Sequence, residues 1–131
     1  MIRSMDSILV LGDSLSKGVT FNEVKRRYCV IEDSYVNLVK NFIQPRVLNV
    51  SRFGATVDFG KKAMAQKFDV VNPDVVFIEF GGNDCDFDWE AIAQNPERDY
   101  QPRTALKDFE ASLRAIIENV RTAGKLSLIH I

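Results

Sequence analysis

One histidine, two cysteines, no long apolar run and no excess of either charge are the shortages of this 131-residue sequence, and each removes a class of protein. Cys29 and Cys85 are far apart and form no Cys-x-x-Cys pair, which argues against a metal site or redox motif and for two reduced thiols. No apolar run approaches the roughly 20 residues that span a bilayer, so no membrane insertion is expected. Residues 1–6 lack the apolar core of a secretory signal, which makes a cytoplasmic location the expectation. Lys and Arg number 17 against 18 Asp and Glu, a formal net charge of -1, so the electrostatic footprint of a nucleic-acid binder is missing. The partner to expect is a small molecule, and oligomeric state is not legible. With 46% hydrophobic and 27% charged residues and no repeat, linker or low-complexity stretch, residues 1–131 read as one ordinary globular domain rather than a disordered chain.

What is present is organised around Ser7-Ile8-Leu9-Val10-Leu11-Gly12-Asp13-Ser14-Leu15. An apolar run of strand length without polar alternation reads as a strand covered on both faces, as in a parallel sheet, and it breaks into small polar residues where open α/β sheets bind ligands. Gly12, Asp13 and Ser14 also read as turn formers, with Asp13 or Ser14 capping the element after them. The segment from Ser16 to Ile31 reads as a long excursion over this site, with Lys25-Arg26-Arg27 a solvated face rather than an anion site. Asp33 or Ser34 caps a helix through Phe42, ended by Pro45. Val47-Leu48-Asn49-Val50 is a second strand running into Ser51-Arg52-Phe53-Gly54-Ala55-Thr56, and Phe59 to Phe68 is a short amphipathic helix. The run Val75-Val76-Phe77-Ile78-Glu79-Phe80 is a third strand, stopping at Gly81-Gly82-Asn83-Asp84. Beyond it lies a loop punctuated by Asn95-Pro96 and Gln101-Pro102. Thr104 then caps a long helix with Leu106, Phe109, Leu113, Ile116, Ile117 and Val120 on one face, Gly124 ends it, and residues 126–131 form a fourth strand.

Strands alternating with helices predict an α/β fold, a three-layer, doubly wound parallel sheet. In the flavodoxin-like strand order the first strand lies between the second and third, and the loops holding Ser14, Gly54 and Asn83 emerge side by side, about 4.8 Å per strand apart. A serine hydroxyl there can attack an ester carbonyl, while the N–H groups of Ser14 and Gly54 and the side-chain amide of Asn83 stabilise the oxyanion. The trio is incomplete without a base to activate the serine.

Gly12-Asp13-Ser14-Leu15 after a strand, a glycine after the second strand and Gly81-Gly82-Asn83-Asp84 after the third resemble the first three blocks of the GDSL, or SGNH, hydrolase family. The resemblance covers nearly the whole chain. It implies a flavodoxin-like three-layer fold and hydrolysis of esters, thioesters or the acyl groups of lipids and carbohydrates, without cofactor or metal. By position it implies Ser14 as nucleophile and oxyanion donor, Gly54 as backbone donor and Asn83 as side-chain donor. Asp13 and Asp84 flank the site, where they hold loops by hydrogen bonds or face substrate. Cys85, Asp86, Phe87 and Trp89 form a pocket wall or pack under the long loop. The family's terminal Asp-x-x-His block has no counterpart. His130 has Ser127 three residues before it and lies on the fourth strand, so it reads as a strand residue and not as the base, and the chain reads as the N-terminal portion of the fold. The same three loops also suit a non-catalytic domain that holds a carboxylate or phosphate through N–H groups.

Overall fold

Apolar runs that stop at glycine or asparagine set the strands, and 3.6-residue periodicity between them sets the helices. The computed structural model describes residues 6–130. They form β1 (Ser7–Gly12), α1 (Ser14–Lys17), β2 (Val19–Asn22), β3 (Arg27–Val30), α2 (Tyr35–Phe42), β4 (Arg46–Asn49), α3 (Val57–Val71), β5 (Val75–Glu79), α4 (Trp89–Gln94), α5 (Leu106–Thr122) and β6 (Leu126–His130). Four strands make one parallel sheet in the order β4-β1-β5-β6, so the first core strand lies between the second and third as expected.

Burial explains this order. Leu9 and Leu11 of β1, Val76 and Ile78 of β5 and Phe80 point to one face, where they meet Val57, Ala63 and Met64 of α3 and Ile116 and Val120 of α5. Each fully buried aliphatic side chain there contributes about 1.5–3 kcal/mol. The alternate residues Ile8, Val10, Val47 and Phe77 face α2 through Val36 and form a smaller cluster. β1 and β5 are thus apolar on both faces, which is why they read as continuous runs rather than alternations. The α2 face is thinly covered: a cavity of about 190 Å³ lies over it, and Leu128 of the edge strand is 48% exposed.

The register puts Gly12 of β1 opposite Glu79 of β5, and Glu79 opposite His130 of β6, so the carboxyl ends of the three strands are level. No helix among the described residues is long and apolar enough to cross a membrane.

The details correct several expectations. The excursion after Ser14 is not loop throughout: β2 and β3 pair as an antiparallel hairpin, Val19 opposite Val30. α3 begins two residues before Phe59 and runs three beyond Phe68, to Val71, and Asn72, at φ 45, ends it in the left-handed conformation. Thr104 does not cap α5. Ala105 holds that position, and the Thr104 hydroxyl is taken instead by Asp84. Leu106, expected on the buried face of α5, is exposed, whereas Ile116 and Val120 are buried. The loop after the third strand contains α4, capped by Asp88 through the N–H of Ala91 at 2.9 Å. Residue 131 of the expected fourth strand lies outside the described residues.

Candidate active site

A four-residue helix cannot sustain itself, because nucleation fixes several dihedrals for one hydrogen bond. α1 is held from outside at every point. Asp13 caps it, Oδ1 accepting from the N–H of Leu15 at 2.9 Å. Gly18, at φ 80, closes it by donating to the carbonyl of Leu15 at 3.1 Å. Asn49 of β4 donates its amide to the carbonyl of Ser16 at 2.7 Å. Gly12 is required where β1 meets this turn: a Cβ there would stand 2.5 Å from Ser16 Oγ and 2.7 Å from its Cβ. Ser14, the first residue of α1, is partly exposed at the carboxyl edge of the sheet.

The three expected loops are tied together by one amide. Nδ2 of Asn83 donates to the carbonyl of Ala55 at 2.9 Å and lies 3.4 Å from Oδ2 of Asp13. Asn83 is thereby bonded to the residue before Ser14 and to the residue after Gly54. Gly54 has φ 70, a left-handed conformation that glycine takes without steric cost, and no heavy atom within 4 Å of where a Cβ would be. The Arg103 side chain reaches its carbonyl at 3.4 Å. The loops that carry Ser14, Gly54 and Asn83 therefore follow β1, β4 and β5 at the carboxyl edge of the sheet and are linked through the Asn83 amide.

Asp13 and Asp84 are 5% and 2% exposed. Both oxygens of Asp84 accept from the N–H of Val57 at 3.1 Å, and Oδ1 also accepts from Thr104 Oγ1 at 2.7 Å, which pins the start of α3 and the return of the long loop to one carboxylate. Of the two roles expected of these acids, holding loops is the one their hydrogen bonds supply. Trp89 is not packed under the loop: it is exposed, its Nε1 donates to Asp86 Oδ1 at 2.8 Å, and its ring leans on Phe87 at 5.7 Å. Beside Asn83 an apolar cavity of about 450 Å³ is lined by Gly81, Gly82, Cys85, Pro102, Leu106 and Phe109 among others. His130 belongs to β6, two strands from β1, and its side chain lies outside the described ones.

Sequence reading missed Glu79. It ends β5 at 4% exposure, its Oε2 accepting from Ser16 N at 3.1 Å and from Ser16 Oγ at 2.5 Å, with the Tyr35 hydroxyl 3.5 Å away. Burial, together with the neighbouring Asp13 carboxyl, raises its pKa to about 7. Burial likewise raises that of Tyr35, whose hydroxyl is 2.6 Å from Ser16 Oγ. The available signal was a lone carboxylate inside an otherwise apolar strand.

The GDSL-like Lipase/Acylhydrolase family matches residues 10–129, and the chain belongs to that family. A search of curated proteins gives no match. Among solved structures, TesA superposes with a TM-score of 0.69 at 22% identity, over 95% of this chain and 59% of TesA. The psychrotrophic esterase EstA from Pseudoalteromonas sp., solved inhibited by monoethylphosphonate, gives 0.65 at 19% identity, over 95% of this chain and 58% of its own. The acetyl xylan esterase AlAXEase gives 0.67 at 21% identity, over 94% and 56%. The fold is that of the SGNH hydrolases, and the chain spans under three-fifths of the length of these relatives.

Proposed function

We propose that this chain carries the nucleophile and the oxyanion hole of a serine ester hydrolase. The observation that carries the reading is the Asn83 amide bonded to both flanking loops, which ties the residue before Ser14 and the residue after Gly54 to the loop after β5. Ser14 Oγ attacks the carbonyl carbon of a small-molecule ester. The oxygen that becomes negative is met by the N–H groups of Ser14 and Gly54 and by Asn83 Nδ2, which exchanges its long 3.4 Å contact with Asp13 for the oxyanion while keeping its bond to the Ala55 carbonyl. The tetrahedral intermediate expels the alcohol, leaving an acyl group on Ser14 that water removes. The apolar cavity lined by Gly81, Gly82 and Cys85 suits the acyl or alcohol portion, and the exposed Trp89 follows in the same connection after β5. Asp13 and Asp84 act one step back, holding the loops.

The proton of Ser14 requires a histidine within about 3.2 Å, directly or through one water. His130 is not assigned that role: two strand spacings separate β6 from β1, about 10 Å. Residues 1–131 alone are therefore expected to show negligible turnover, unchanged by His130→Ala.

The test is hydrolysis of a short-chain p-nitrophenyl ester by the full-length protein and its Ser14→Ala variant. Loss of turnover with the fold retained supports the assignment, and retention of most of the activity refutes it. Tight binding of a carboxylate or phosphate without any turnover would favour the non-catalytic reading.

A further inference from the structure

We propose that Glu79 is a positioning residue for the nucleophile, holding the first turn of α1, and with it Ser14, through Ser16. The inference rests on the assignment of Ser14 as nucleophile and adds to it a group that reaches the chemistry only through another residue.

The turn bearing Ser14 is four residues long and gains nothing from its own cooperativity. Its outer side is held by the Asp13 cap and by Asn49 on the Ser16 carbonyl. Its inner side rests on Glu79 alone among the carboxylates: one oxygen accepts both the Ser16 N–H at 3.1 Å and the Ser16 hydroxyl at 2.5 Å. Ser16 is fully buried, so no water competes for these bonds. Gly12, opposite Glu79 in the register, is what admits Ser16 against the end of β1, since a Cβ there would stand 2.5 Å from Ser16 Oγ. Ser16 is thus clamped between Gly12, Glu79, Asn49 and the Tyr35 hydroxyl, and Ser14 sits two residues before it in the same turn.

The proton on this group has a structural use. Asp13 faces Glu79 while its two oxygens serve the Leu15 N–H and the Asn83 amide. Two buried carboxylates side by side do not both ionise cheaply. With the proton on Glu79, its hydroxyl donates to Asp13, which stays an acceptor for the cap and for Asn83. Without it, two like charges press on the loop that carries Ser14. The groups packed around Glu79 among the described side chains are Asp13 after β1 and Tyr35 on α2, and its backbone register partner on β6 is His130. Its raised pKa near 7 agrees with this sharing.

The experiment compares wild type, Glu79→Ala, Glu79→Gln and Ser14→Ala in the full-length protein, reading kcat and KM on a p-nitrophenyl ester and the 15N-resolved Ser16 amide between pH 5 and 9. Glu79→Ala lowers kcat tenfold or more with KM within twofold. Glu79→Gln, which offers an acceptor to Ser16 and a donor to Asp13, restores kcat to within threefold of wild type. The Ser16 amide resonance titrates near pH 7 in wild type and is flat in Glu79→Gln, a readout that stands even if Glu79→Ala fails to fold. A Ser16 amide that ignores pH, a Gln variant as damaged as the Ala variant, or an Ala variant with normal kcat overturns the inference. Activity surviving in Ser14→Ala overturns the assignment of the nucleophile instead.

Discussion

Gly60→Ala is the sharpest probe of how α3 carries the site. In an exposed helix the substitution stabilises by about 1 kcal/mol, since alanine restricts the unfolded chain and favours the helix. At Gly60 the new methyl falls on the Phe80 ring: it collides with Cε2, stands 2.6 Å from Cζ and 3.2 Å from Cδ2. Phe80 is 2% exposed and belongs to the main core cluster, so the ring has no free space to turn into. Overpacking of this kind costs roughly 1–3 kcal/mol, and contact with three ring atoms places it at the upper end. Subtracting the helix gain leaves a net loss of about 2 kcal/mol, or about 8 °C in Tm for a domain of this size. Urea denaturation of the 131-residue chain followed by circular dichroism measures it. Phe80→Leu in the same background relieves the collision, giving a favourable coupling energy in a double-mutant cycle. A Gly60→Ala protein as stable as wild type, or more stable, would refute the packing of α3 against the end of β5. Because Phe80 precedes Gly81-Gly82-Asn83, the same substitution is expected to lower kcat by displacing the Asn83 amide.

Glu79 makes stability fall as pH rises: its folded pKa of about 7 lies above the ordinary 4.5, so the contribution is full below about pH 4.5 and is lost through pH 7, about 3 kcal/mol in all. Denaturation midpoints across that window check the slope, and Glu79→Gln is expected to flatten it. Asp84→Ala leaves the buried N–H of Val57 and the hydroxyl of Thr104 without their acceptor and is expected to cost about 2–4 kcal/mol, measured by the same denaturation. Asn83→Ala in the full-length protein should lower kcat by roughly two to three orders of magnitude with little change in KM, since its amide meets full charge only at the tetrahedral intermediate; steady-state kinetics decide, and an effect confined to KM would assign it to substrate binding.

The sheet was legible because β1 and β5 are apolar on both faces, a pattern that few other elements share, and because each runs into glycine. The hairpin was not: β2 and β3 are four residues each, mostly exposed, and joined without an Asn-Gly or Asp-Gly pair, with Arg26 at φ 48 taking the left-handed turn position. α4 escaped for a related reason, having no buried residue and hence no periodicity. Thr104 stands one residue before the cap position of α5 and looks like a cap, but Asp84, 20 residues earlier, offers its hydroxyl a charged acceptor. Ser14, Gly54 and Asn83 were readable because each comes after a strand end. Glu79 was not, since its partner Ser16 is 63 residues away and only the register of β1 with β5 brings them together.

The central claim is that the Ser14 oxygen forms the covalent bond to the acyl group. Incubating the full-length protein with an alkyl phosphonate ester and mapping the adduct by peptide mass spectrometry tests it directly. One adduct is expected, on the peptide containing Ser14, formed in step with loss of ester hydrolysis and absent in Ser14→Ala. An adduct on another residue, or full inhibition with Ser14 unmodified, would contradict the account.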